Sequence, residues 1–346
     1  PWSATAQEAE RPRVVEEILV TAQKKEESIQ DVPISITAFS GEFLSDAGID
    51  DIHELTQFAP NASFRTNETV FIRGVGSPFG GSSFDPSVGL AIDEMSIARE
   101  MYLGDAIYDI ERFEVLRGPQ GTLFGKNTPA GLFNVTTAQP TREFSGYLLA
   151  RAGALDYHRI EGALGGPFGP LGDIAQFRFS FVEANLEEDV FNTKLRQGED
   201  DRQQRAARFK LATQPLDGLE ILFIGSIATS DAITFHAQAH KFRDSHVEWL
   251  RRYDPEFEAD GENHQTSADL DQHWKKYIDL VQTNVTYDAG DLGPLRDTQV
   301  VAVLGKTGFD FDRPTDTDLT PARILNLDPQ VYDYDQQSAE LRFSGT

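Results

Sequence analysis

The chain has 346 residues, more than a single core usually holds, and carries 31 lysine and arginine against 56 aspartate and glutamate, a formal net charge of −25. That balance argues against nucleic acid and anionic lipid surfaces as partners. With no cysteine, a disulfide framework and a thiolate metal site are both excluded.

No apolar run approaches the roughly 20 residues a transmembrane helix needs. The best, Leu219 to Ile227, is shorter and includes Glu220. Membrane-crossing strands stay open, because each needs only about 10 residues of alternating polarity. Ala4-Thr5-Ala6 has the small-residue character of the end of a secretory leader. Residues 1–31 are charged and lack helical periodicity apart from the β-prone run Ile18-Leu19-Val20-Thr21, which predicts a mobile arm.

From 32 to 140 the pattern is that of a compact α+β unit. Pro33 to Phe39 alternates like a strand, Ser40 caps a short helix that stops at Gly48, and Asp50 and Asp51 open a second helix ending before Pro60. Further strands are predicted at Thr69–Arg73, Val88–Asp93, Phe113–Arg117 and Leu132–Thr136.

Beyond Pro140, runs of period two recur. In Gln176-Phe177-Arg178-Phe179-Ser180-Phe181 one face is all phenylalanine and the other polar. The scheme repeats in Arg208-Phe209-Lys210-Leu211 and Ser338 to Ser344. Either a soluble sandwich or a barrel with lipid outside and water inside accounts for this. Other strands are predicted at 144–155, 158–166, 219–229 and 298–311, about eight in all. Short Gly- and Pro-rich links at 165–173 and 214–218 suit turns on one side, and long acidic stretches at 185–201 and 231–279 suit loops on the other.

Candidate chemistry fails on residue type. Gly121 to Asn127 has the Gly-Lys pair of a phosphate loop, but Gln120 stands where its first glycine is needed and Asn127 where Ser or Thr is, and His53-Glu54 has no second histidine four residues on. His236 and His240 sit four apart with His246 nearby, yet no carboxylate completes a ligand set. No catalytic constellation, metal site or cofactor is expected.

Four segments carry a family resemblance: EEILVTAQ from Glu16, VPISITAFSGEFL from Val32, VFIRGVG from Val70, and IERFEVLRGPQGTLFG from Ile110. In order and spacing they resemble the plug domain of TonB-dependent outer-membrane receptors. The match covers roughly the first 140 residues; after that it is textural. It implies a membrane β-barrel, antiparallel and of about 22 strands when complete, with an N-terminal α+β plug inside. Eight strands enclose too little space for a folded plug, so this chain is expected to cover only the first strands and loops, at 141–346, after an arm at 1–31 and a plug at 32–140.

The resemblance further implies active import of a scarce solute, an iron-siderophore complex by family habit, across the outer membrane of a Gram-negative bacterium. Alternatives are a nonspecific porin or adhesin barrel, or import of cobalamin, haem, a saccharide or an aromatic compound. Glu17, Ile18, Leu19, Val20, Thr21 and Ala22 resemble the TonB box, which pairs with a sheet edge of TonB, powered by ExbB and ExbD, on the periplasmic side. Arg73-Gly74 and Arg117-Gly118 resemble an arginine pair that meets carboxylates on the barrel wall. The loops at 76–86 and 94–103 are expected at the apical tip, with Ser77, Phe79, Ser82, Phe84, Glu94 and Arg99 as ligand contacts. Where the family commonly has glycine after Asp93, this chain has Glu94-Met95.

Overall fold

A computed structural model describes residues 19–25, 27–65, 69–76, 85–105, 107–233 and 240–345. The N-terminal globule opens with a hairpin of β1 (Leu19–Val20) and β2 (Glu27–Ser28). β3 (Ser35–Ser40) runs directly into α1 (Gly41–Asp46), because the Ser40 hydroxyl accepts from the Phe43 N–H at 3.1 Å; Gly48, at φ +70°, lies just past its end. α2 (Ile52–Phe58) starts where the Glu54 carboxylate accepts from the Asp50 N–H, 2.9 Å away.

There follow β4 (Ala62–Arg65), β5 (Thr69–Ile72), β6 (Val75–Gly76), β7 (Val88–Ile92), β8 (Met95–Ile97), β9 (Ile110–Arg117), α3 (Gly121–Phe124) and β10 (Gly131–Thr137). β3 and four of these form one sheet in the order β3-β9-β10-β7-β8, parallel only between β10 and β7, while β4-β5-β6 make a small second sheet. The central sequences are nearly continuous apolar runs because they are covered on both faces: every residue of β7 is buried.

The remainder is a wall of consecutive antiparallel strands: β11 (Ser145–Ala152), β12 (His158–Pro167), β13 (Ala175–Asn192), β14 (Gln197–Leu216) and β15 (Leu219–Ile233). After α4 (Asp244–Leu250) and β16 (Gln265–Thr266) it continues through β17 (His273–Leu292), β18 (Leu295–Asp316) and β19 (Asn326–Ser344). The sequence reading missed β17 as a separate strand; its first residues, 273–279, sit inside a stretch read as loop. The 185–201 stretch is likewise corrected: the two strands run on through it and leave only residues 193–196 as the turn, so polar residues there lie on a ladder.

Alternation sorts the wall into two faces. Leu148, Leu164, Phe179, Phe209, Phe223, Val281, Leu304, Leu341 and Phe343 are exposed on the outside, while Val182, Ala206, Ile224, Ile278, Leu280, Val303, Phe309 and Phe311 share a buried cluster with the globule. The phenylalanine row thus faces away from the protein, as lipid contact requires. Outward residues further up the strands are charged and paired, as in Glu183 with Arg205 at 3.0 Å and Lys306 with Asp335 at 2.9 Å. Strands of 15 to 22 residues exceed the ~9–11 a bilayer needs, so their upper ends project beyond it.

Short connections at 168–174, 217–218 and 293–294 define one end of the wall; the connection at 234–272 defines the other. At that loop end Leu250, Phe257 and Ala322 form a separate apolar cluster, β16 pairs with β13, and Asp254 accepts from the hydroxyls of Thr193 and Ser267 (2.6 Å for Ser267) and from the Glu256 N–H at 3.1 Å. Burial works against the Asp254 carboxylate, yet these hydrogen bonds prevail and hold its pKa below the usual range.

Candidate functional site

The globule is gripped along the whole wall. From β11 and β12, Arg151 and Arg159 reach Asp50, with Tyr157 donating to the same carboxylate at 2.6 Å. On β13, Arg178 holds Asp109 through Nε at 2.8 Å, and on β14 Arg202 pairs with Asp51. Lys210 lies 3.2 Å from Asp93, both side chains essentially without solvent contact. Further round, Ser226 meets Tyr108, Gln282 and Asn284 donate to the Asp93 carbonyl, and Thr307 donates to the Tyr102 hydroxyl. β19 contributes Gln336, which bonds Ser96 and Ala98, and Glu340, which takes Lys24 at 2.6 Å. A sheet that touches one globule from its first strand to its last must bend around it.

The polarity of this grip differs from the expectation. Arg117 donates to the Pro60 carbonyl at 3.0 Å and the Thr37 hydroxyl at 2.8 Å, both within the globule, and Arg73 is exposed beside Gly74. Burial, with the nearby charge of Arg73, lowers the Arg117 pKa. Neither arginine has a wall carboxylate among the described residues. Gly118, at φ +98°, donates to the Ala130 carbonyl at 3.0 Å. The charged contacts that do exist run mostly the other way, wall bases to globule acids. The bases were legible as the polar face of the alternating strands; Asp50, Asp93 and Asp109 lie in turns where nothing in the sequence marks a long-range partner.

The Asp93-Glu94 step is a two-residue turn joining β7 to β8, with both residues at positive φ, +46° and +76°. The turn persists because Asp93 is over-determined: its carboxylate also accepts from the Thr137 N–H at 2.9 Å and hydroxyl at 2.6 Å. Glu94 pairs with Arg342, near the turn end of β19. The expectation that Glu94 stands at an apical tip is therefore corrected; β8 rises from there, and Arg99 lies higher, 5.4 Å from the ring centre of Tyr334. Ser77, Phe79, Ser82 and Phe84 lie outside the described residues, as do Glu17, Ile18 and His236. His240 and His246 are exposed, and no cluster fit for a metal occurs among the described residues.

At the turn end, the segment around Thr21 is folded onto the globule, which corrects the mobile-arm expectation for residues 19–25 and 27–31. Leu19 and Val20 pair with Ser28 and Glu27, and Val20 and Ala22 are fully buried against Ala91, Leu116, Phe124 and Leu132. The Thr21 N–H donates to Glu114 at 2.6 Å. Glu114 also accepts from Arg112 Nε at 2.8 Å and Asn134 at 2.7 Å. Beside them a cavity of about 810 Å³, lined by Thr21, Lys24, Arg112, Asn134 and Arg342 among others, lies among the lower ends of the strands. Burial lowers the Lys24 pKa against the opposing pull of Glu340.

Residues 28–132 match the family model described as the TonB-dependent Receptor Plug Domain. That stretch is a plug domain of the TonB-dependent receptor type. The chain's plug sits against part of a membrane β-barrel, and its place is the outer membrane of a Gram-negative bacterium. It is 31% identical over 156 residues to the pesticin receptor of Yersinia pestis, covering 43% of this chain and 23% of that one. With the ferric-pyoverdine 358 receptor of Pseudomonas putida it shares 27% identity over 173 residues, 49% of this chain and 20% of the relative. Among solved structures, the ferric yersiniabactin uptake receptor from Yersinia pestis superposes with a TM-score of 0.71 at 21% identity, over 90% of this chain and 46% of the other. The pyoverdine outer-membrane receptor from Pseudomonas aeruginosa PAO1 gives 0.69 at 16%, over 93% and 45%. The chain thus spans less than half the length of these receptors.

Proposed function

We propose that the receptor imports an iron-siderophore complex, drawing on TonB with ExbB and ExbD through residues 17–22, and that it has no enzymatic role. The observation that carries this reading is the placement of the Thr21 segment. It lies at the turn end, the periplasmic side in this family, and is held by a few separable contacts, while the plug itself is clamped by every wall strand. A pull from below would reach the segment before it reached the plug. A nonspecific porin has no use for a barrel filled in this way.

The named ligands of the relatives, pyoverdine and yersiniabactin among them, favour an iron chelate over cobalamin, haem or a saccharide. Of the residues put forward as ligand contacts, Arg99 stays a proposal, since it rises toward the loop end beside Tyr334. Arg73 and Arg117 are proposed to meet barrel carboxylates beyond this chain. The test is deletion of residues 17–22 in the full-length receptor. Cells should still bind radiolabelled ferric siderophore but accumulate none, matching a strain without TonB; accumulation at the undeleted rate would remove the importer reading.

A further inference from the structure

We propose that Glu114 is the latch that keeps the coupling segment from accepting a partner strand. The inference rests on the reading of residues 17–22 as that segment. Pairing by strand addition requires free backbone N–H and C=O groups along the strand that is joined. Here β2 takes up Leu19 and Val20, and the Glu114 carboxylate takes the Thr21 N–H at 2.6 Å, with the Thr21 hydroxyl 3.3 Å from the same oxygen. In this docked form the segment offers an incoming strand little to bond.

The chemistry of the latch suits repeated opening. Glu114 is fully buried on β9, and burial of a carboxylate is costly unless its oxygens are satisfied. Arg112 and Asn134, both fixed on the plug sheet, hold it at 2.8 and 2.7 Å independently of Thr21. When the segment leaves, the carboxylate therefore keeps a cation and an amide donor, so departure strands no charge. Asn134 also donates to the Thr21 hydroxyl at 3.0 Å, which ties segment and carboxylate into one cluster. The adjoining cavity borders Thr21, Arg112 and Asn134 and gives the segment room to swing away without moving the plug sheet. A carboxylate present only to neutralise Arg112 would not need to face the segment.

The full-length receptor tests this, since the present chain contributes no cysteine. Ala22→Cys places one thiol at a fully buried position of the segment, and Ala59→Cys places one in the other apolar cluster of the plug. In detergent, without TonB, the rate of maleimide labelling at position 22 should be slow, at least tenfold faster with Glu114→Ala, and slow again with Glu114→Gln, whose amide oxygen still accepts from Thr21. Position 59 should stay slow throughout. Equal rates at position 22 with and without Glu114→Ala, or acceleration at both positions together, overturn the latch. Binding of the periplasmic domain of TonB to the same proteins separates the two ideas. Tighter binding by Glu114→Ala supports both, whereas a freed segment that gains no affinity supports the latch and removes the TonB reading beneath it.

Discussion

Replacing Asp93 by asparagine isolates the deepest plug-to-wall contact. Lys210 and Asp93 have side chains 1% and 2% exposed and lie 3.2 Å apart. Breaking such a buried pair from one side typically costs about 3–5 kcal/mol, because the remaining charge is left unpaired in a region that cannot solvate it. Asparagine tolerates φ +46° and keeps one acceptor oxygen for the Thr137 N–H, while its amide can donate to the Thr137 hydroxyl, which places the cost near the lower bound, about 3 kcal/mol. With a guanidinium m-value of roughly 4 kcal/mol/M for a unit of this size, the plug's unfolding midpoint should fall by about 0.8 M. Lys210→Met should cost less, since Asp93 retains both donors from Thr137. The double variant should be milder than the two singles added together, as expected of groups in contact. The assay is guanidinium titration of detergent-solubilised receptor, followed by thiol access at Ala59→Cys. An unmoved midpoint for Asp93→Asn, or strict additivity in the double variant, would refute the claim that these groups form one buried pair.

Two further outcomes follow from the wall and the loops. Phe179→Arg puts a cation on the outward face at lipid depth, where the cost is about 2–4 kcal/mol at the midplane; the heat-modifiable folded form on gels should diminish, while Phe179→Leu leaves it intact. Asp254, whose pKa is depressed, contributes stability that is fully present above the unfolded carboxylate value near 4 and is lost as pH falls through its lower folded value. Hydrogen exchange across 244–268 should therefore stay slow from neutral pH down to about pH 4 and quicken only below it. Asp254→Ala should be fast already at pH 7.

Much of the architecture was legible because its signals are local. Period-two alternation revealed the phenylalanine row, and Ser40 and Gly48 framed α1. What failed was long-range. The Asp93-Glu94 turn reads as an unfavourable sequence until Lys210, Gln282 and Asn284 are seen to hold Asp93 from strands more than a hundred residues away. The polar runs at 185–201 read as loop because pairing between neighbouring strands, rather than hydrophobic periodicity, makes them strand. The β-prone run at 18–21 was visible, but the docking of residues 19–21 depends on Glu114, 93 residues beyond Thr21, and composition could not place it.

Arg178 and Lys210 stand directly opposite each other on the inner face of β13 and β14. Like charges in that position push neighbouring strands apart. Among the described residues each finds its counter-ion on the enclosed domain, so an empty cylinder would have to close with two cations face to face. The enclosed domain therefore supplies the counter-charge that lets these two strands lie side by side.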